Sequence, residues 1–416
     1  MSTFPRTPLR AARSCALMLL LALASQPLRA AEPTSLSLDT ALAQALANNP
    51  ELAAAAWEID IAQGARQQAG LIPNPVLSVD AEDTRRDSRT TSIKLSQALE
   101  LGGKRGARVE VASRGQELAA LELERRRNQL RADVLEAYSS AQRAQERTQL
   151  AGRSLALAER GVSVAQGRVN AGKASPVEAT RAQVQLAEVR LELSRGQMEQ
   201  DNAYRRLAMV TGTATTDFAS VQEQSLIVAS VPASAQLLDR LPQTPELRLA
   251  EQEIVQREAS LGLEKAQRIP DLDVSFGSQY DASTRERINL VGVSMPLPLF
   301  NRNQGNVLSA ARRADQARDL RNATELRLRT ETRQALEQWN TARGEVLSFN
   351  QTILPGAQTA VDSATRGFEM GKFSFIDVLD AQRTLINARS QYLAAVAQTT
   401  DAWVRIERIY GDLRRW

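Results

Sequence analysis

The chain has 416 residues, with 52 Lys plus Arg, 48 Asp plus Glu and no histidine, for a formal net charge of +4. Without imidazole there is no His-based metal site, no His-dependent catalytic triad and no histidine pH switch. The charge excess lies wholly in residues 1–30, where Arg6, Arg10, Arg13 and Arg29 meet no acid; the rest carries 48 basic and 48 acidic side chains, so the basic balance is no argument for a nucleic-acid partner.

Residues 1–30 read as a cleavable export signal. Three arginines precede a ten-residue apolar run, residues 15–24, and small residues follow at Ala30 and Ala31, after one of which cleavage is expected. The run is too short to span a bilayer as a helix. The single cysteine, Cys15, lies in that segment, so the exported chain is expected to hold no disulfide and no thiolate ligand. No later apolar run approaches the ~18 residues of a membrane-spanning helix, so any passage through a membrane must use strands.

A short amphipathic helix is expected over residues 38–47, with Asp39 as its cap. Asn48-Asn49-Pro50 breaks it, and a second helix follows over 51–69, stopped by Pro73 and Pro75. Residues 76–82 then alternate, with Leu77, Val79 and Ala81 opposite Ser78, Asp80 and Glu82. After a polar turn, Ile93, Leu95 and Leu99 oppose Ser92, Lys94 and Ser96. A period of two marks strands with one apolar and one wet face. From 103 to 169 there is no proline, and 67 helical residues at ~1.5 Å each would reach roughly 100 Å.

The chain then repeats itself. Pro50-Glu51-Leu52 returns as Pro245-Glu246-Leu247. Leu272, Val274, Phe276 and Tyr280 oppose Asp273, Ser275 and Gln279, though the return segment 288–295 alternates less cleanly. A second long helix is expected over 302–368, with a kink or displaced turn at Pro355. Gly172-Lys173, Ser175 and Ala182-Gln183 recur 199 residues later as Gly371-Lys372, Ser374 and Ala381-Gln382. Such duplication means two copies of one structural unit, here about 36–212 and 239–412, packed with pseudo-symmetry. The fold expected is mainly α with a β-barrel part. Four short strands cannot close a membrane barrel, whereas three copies supply twelve and remove the sheet's edges.

The arrangement, the duplication and the segment Asp377-Val378-Leu379-Asp380-Ala381-Gln382 after a Gly-Lys turn resemble the TolC family of trimeric outer-membrane efflux ducts, over about residues 36–412. Two further segments, Leu99-Glu100-Leu101-Gly102-Gly103-Lys104-Arg105 and Pro296-Leu297-Pro298-Leu299-Phe300-Asn301-Arg302-Asn303-Gln304-Gly305, are similar to the CzcC-like heavy-metal branch. The resemblance implies a homotrimer in outer-membrane lipid with a periplasmic helical tube. It implies a periplasmic adaptor and an inner-membrane RND pump as partners, and cobalt, zinc or cadmium as cargo. No cofactor, nucleic acid, resident metal or catalytic residue is expected. A duct for drugs or secreted proteins, and a soluble periplasmic coiled-coil scaffold, are the alternatives.

Three groups of residues carry the candidate sites. Gly102, Gly103, Lys104, Arg105, Pro296, Pro298, Asn301, Arg302, Asn303 and Gly305 are expected to turn strand into helix. Gly172, Lys173, Ser175, Gly371, Lys372 and Ser374 are helix-capping turns that the resemblance makes an adaptor contact. Asp377 and Asp380, three apart on one helix face, are either favourable acids at a helix start or, by the resemblance, two acidic rings at a periplasmic gate. Their first-half counterparts are Glu178 and Arg181, and Arg181 is a candidate partner for the aspartates. The familiar basic partner of such a gate falls at Phe373, so a different closing network is expected here.

Overall fold

The computed structural model describes residues 34–83, 85–223, 231–411 and 413. The expected export segment with Cys15, its cleavage point, and residue 412 at the end of the second repeat lie outside the described residues. In chain order the elements are β1 (Thr34–Leu36), α1 (Leu38–Asn48), α2 (Pro50–Ala69), β2 (Val76–Glu82), β3 (Thr90–Leu99), α3 (Lys104–Asn170), α4 (Pro176–Thr211), β4 (Phe218–Val221), α5 (Ser234–Arg240), α6 (Pro245–Ala266), β5 (Leu272–Asp281), β6 (Glu286–Ser294), α7 (Gln304–Ser348), α8 (Leu354–Glu369) and α9 (Phe375–Tyr410).

The helix starts follow local chemistry. Ser37, not Asp39, caps α1, its Oγ accepting from the Thr40 amide; Asp39 sits in the first turn instead. Asn49 Oδ1 accepts from the Glu51 and Leu52 amides and so starts α2, while its Nδ2 donates to Val210 O at 3.2 Å. That one residue ties the first two helices to the far end of α4.

The strands β2, β3, β5 and β6 form one antiparallel sheet in that order, leaving β2 and β6 as free edges. The register places Leu77, Leu95, Phe276 and Val291 in one row across all four strands. All four are at least 49% exposed. Val79 and Ile93 share that face, as do Val274 and Val293; Asp80, Ser92 and Gln279, with Ser78 and Lys94, share the other. The weak alternation of the last strand has a simple origin: Ile288 and Leu290 fall on the polar face, beside Gln279 and Gly277. Gly277 is required where it stands, since a Cβ there would lie 2.6 Å from Ile93 O.

The sheet continues into a long bundle. α3 is a single 67-residue helix that packs along α2 and α6 near the sheet and along α4 and α9 farther away. Its counterpart is not continuous. α7 ends at Ser348 and passes through a five-residue π-turn, Phe349–Ile353, into α8. Proline at position 355 lacks an N–H and its ring crowds the carbonyl four residues back. Widening the helix by one residue just before it, with the Leu354 amide donating to Phe349 O, relieves that clash.

The main core is a belt around the middle of the bundle, including Leu38, Leu135, Tyr138, Leu207, Val221, Trp403 and Ile406. There the short strands β1 and β4 pair in parallel, an element whose brevity gives no periodic signal. The Tyr138 hydroxyl donates between Leu36 O and Gln222 O, at 3.0 and 2.9 Å. Burial pushes its pKa up to about 12, so it stays a neutral donor. Gln145 acts as a surrogate strand: its Nε2 donates to Val221 O, and its Oε1 accepts from the Val221 amide and the Tyr204 hydroxyl.

Candidate functional site

The two hairpin tips are built alike. At the end of α3, Gly172 takes φ +69°, the Gly172 amide donates to Val169 O, and the Lys173 amide to Arg168 O at 2.8 Å. At the end of α8, Gly371 takes φ +75°, its amide donates to Phe368 O, and the Lys372 amide to Gly367 O, again at 2.8 Å. Both are glycine-terminated helix ends in which the amide beyond the glycine reaches back five residues. Ser175 and Ser374 then cap the following helices, Ser175 Oγ accepting from Val177 and Ser374 Oγ from Asp377, both at 3.4 Å.

The tips differ in their acids. Asp377 closes a capping box: its Oδ2 accepts from the Ser374 amide at 2.7 Å and from the Ser374 hydroxyl at 2.8 Å. Those bonds, hydroxyl first, hold its pKa below the usual carboxylate value. Asp380 is exposed one turn later. Glu178, which occupies the same cap position in the first half, turns instead to Arg168, with Oε1 4.0 Å from Nε. Among the described residues, Arg181 forms no ion pair with Asp377 or Asp380 within the chain: all three are exposed, and the cation at this end that meets an acid is Arg168.

Arg168 also lies over the ring of Phe368, 4.9 Å from its centroid, and Phe368 packs on Phe375 at 5.5 Å. With Ala165, Ala182, Ala364 and Val378 these rings form a small core that joins the two tips. Small residues make room for it, since a Cβ at Gly161 would stand 3.2 Å from the Phe375 ring. Phe373 folds back over Gly367, where a Cβ would meet its ring at 2.2 Å. Sequence inspection missed Phe368, Phe375 and Arg168. The available signal was the pair of phenylalanines on either side of the Gly-Lys turn, at places held by Val169 and Pro176 in the other half.

At the sheet end, Gly103 and Asn303 hold equivalent places. Each precedes a long helix in the left-handed region, with φ +73° and +59°. Gly102, at φ +70°, passes so close to Ile269 that a Cβ would lie 2.8 Å from its side chain. Lys104 Nζ pairs with Asp271 at 2.6 Å, and Arg108 pairs with Glu100. Asn303 Nδ2 donates to Glu264, and its amide to Asn301 Oδ1; Arg302 Nε donates to Pro298 O. Arg105, Pro296 and Gly305 are exposed. Among the described residues no group of three or more His, Cys, Asp or Glu is placed to hold a metal ion, and no helix is long and apolar enough to cross a membrane.

A family profile described as "Outer membrane efflux protein" matches residues 41–213 and 239–412. The chain is 41% identical over 385 residues to the cobalt-zinc-cadmium resistance protein CzcC of Cupriavidus metallidurans, covering 92% of each chain. It is 27% identical to the nickel-cobalt-cadmium resistance protein NccC of Alcaligenes xylosoxydans xylosoxydans, covering 78% of this chain and 74% of that one. Among solved structures, the outer-membrane channel OprN superposes with a TM-score of 0.76 at 21% identity, over 90% of this chain and 89% of that one. The paired helical tips, the sheet with an exposed apolar face and these matches leave one assignment: the chain belongs to the outer membrane efflux protein family, with its four-stranded sheet in the outer membrane and its helical bundle in the periplasm.

Proposed function

We propose that the protein is the passive exit duct of a three-part efflux system, working as a homotrimer with a periplasmic adaptor and an inner-membrane RND pump, and carrying divalent cations of the cobalt, zinc and cadmium class. No catalytic step is assigned to it. One observation carries the duct: a four-stranded sheet with one exposed apolar face and two free edges runs directly into a helix of about 100 Å. Three such sheets close into twelve strands, and no backbone edge is then left in lipid. The cargo rests on the names of CzcC and NccC, the first similar across nearly the whole chain.

The remaining roles belong to this reading. Asp377 and Asp380, three copies of each, line a periplasmic gate, with Glu178 and Arg181 on the adjoining hairpin. The turns at Gly172, Lys173 and Ser175, and at Gly371, Lys372 and Ser374, meet the adaptor. The passages at Gly102–Arg105 and Pro296–Gly305 convert barrel into tube. The repeat boundaries 36–212 and 239–412 describe the two copies of the unit. Deleting the protein from cells with no substituting duct should lower the zinc, cobalt or cadmium concentration that stops growth. Unchanged metal tolerance together with lost drug tolerance would overturn the cargo.

A further inference from the structure

The rim where sheet gives way to helix has two kinds of joint. The inner joints, between β3 and α3 and between α6 and β5, are closed inside the chain by the Lys104–Asp271 and Arg108–Glu100 pairs. The outer joints adjoin the free edges and are apolar. Just before β2, Leu71 and Ile72 are 57% and 65% exposed; just after β6, Leu297, Leu299 and Phe300 are 71%, 64% and 91% exposed.

These outer segments are not loose. Arg108 donates to Leu71 O and Gln97 Nε2 to Pro73 O, at 3.3 and 2.9 Å. Arg302 Nε donates to Pro298 O and Gln304 Nε2 to Phe300 O, at 3.3 and 3.2 Å. The backbone is fixed by polar bonds while the large apolar side chains stand free. A surface ordered in advance loses little entropy on being covered.

We propose that at each seam between copies Leu71 and Ile72 of one chain pack against Leu297, Leu299 and Phe300 of the next, forming an apolar clasp at the periplasmic rim of the barrel. The inference rests on the trimeric reading above. The topology supplies the argument. β2 and β6 are the sheet's two edges, so a closed ring of identical copies must bring each β6 edge to the next copy's β2 edge. The chain enters β2 and leaves β6 on the helix side, which puts both apolar segments at the same seam. Lipid is the weaker occupant, because a lipid-facing rim would be apolar all the way round. Here the inner joints are ion-paired, and their apolar residues Leu101 and Ile269 are only 38% and 46% exposed.

The test uses the full chain with Cys15→Ser, which leaves no cysteine. The double variant Ile72→Cys/Phe300→Cys, oxidised in outer membranes, should give reducible dimers and trimers on denaturing gels, while either single variant stays monomeric there. Native mass in detergent separates the two levels. A trimeric mass without cross-links sinks the clasp alone, whereas a monomeric or tetrameric mass sinks the duct reading beneath it. As a second arm, Phe300→Cys carrying a bimane label is reconstituted into vesicles of acyl-brominated phospholipid. Fluorescence should keep most of its intensity in unbrominated lipid, because the label is shielded by protein. Loss of most of the signal would show that lipid covers this face and would overturn the proposal.

Discussion

Asp377 meets two demands at the tip of the second hairpin. As the third residue of α9 it accepts from both the amide and the hydroxyl of Ser374, and as an exposed acid it contributes charge to the proposed gate. Its folded pKa is depressed by those bonds. A carboxylate stabilised this way contributes fully above its unfolded value, about 3.9, and the contribution is lost as pH falls through the lower folded value. The start of α9 should therefore stay protected at neutral pH and loosen only below about pH 4. Amide exchange at residues 375–378, corrected for intrinsic pH dependence, measures this. Asp377→Asn keeps an acceptor oxygen but no titrating group, so its protection should change little over that range. Equal acid sensitivity in parent and variant would mean that another group controls the cap.

At the scale of elements, the belt depends on a side chain standing in for a strand. Gln145 of α3 pairs with both backbone groups of Val221 and also receives the Tyr204 hydroxyl. Gln145→Leu fills similar space but leaves a buried N–H and C=O unpaired, at roughly 1–3 kcal/mol each. The variant should melt at a clearly lower temperature than the parent, and an unchanged midpoint would remove Gln145 from the account of the belt. This pairing also shows where sequence reading stops. Strands β2, β3 and β5 were legible because a sheet wet on one face forces alternation, and α3 because 67 residues passed without proline. Strands β1 and β4 were not, since three or four residues paired at long range carry no period. Pro355 marked the break in the second long helix, but only the structure shows that one widened turn absorbs it. The tip residues proposed for the gate stand in motifs that repeat in the sequence. Their local partners were not legible, because Glu178 finds Arg168 across the hairpin, and Phe368 meets Phe375 only once the Gly-Lys turn has closed.

For the whole molecule, the pseudo-repeat keeps an acid at the cap position, Glu178 and Asp377, but sets Arg181 where the second half has Asp380, and a gate built this way must be asymmetric. The first-half tip has Glu178 engaged by Arg168 and leaves Arg181 exposed; the second has Asp377 engaged by its own cap and leaves Asp380 exposed. Two aspartates per chain give six carboxylates in a trimer. Crowded like charges repel and draw in cations, so an opposed cation is needed for a closed state. The two acids should separate by experiment. Asp380→Ala removes charge from a residue with no role in the cap, so multivalent cation block in planar bilayers should weaken while the start of α9 keeps its protection. Asp377→Ala removes the charge together with its half of the capping box, so block should weaken and the tip should also loosen, raising conductance. Arg181→Ala should raise conductance too, but with block kept or strengthened because the acids remain. If the double variant Asp377→Ala/Asp380→Ala conducts and is blocked like the parent, these aspartates serve only to start a helix, and the constriction is made elsewhere along the tube.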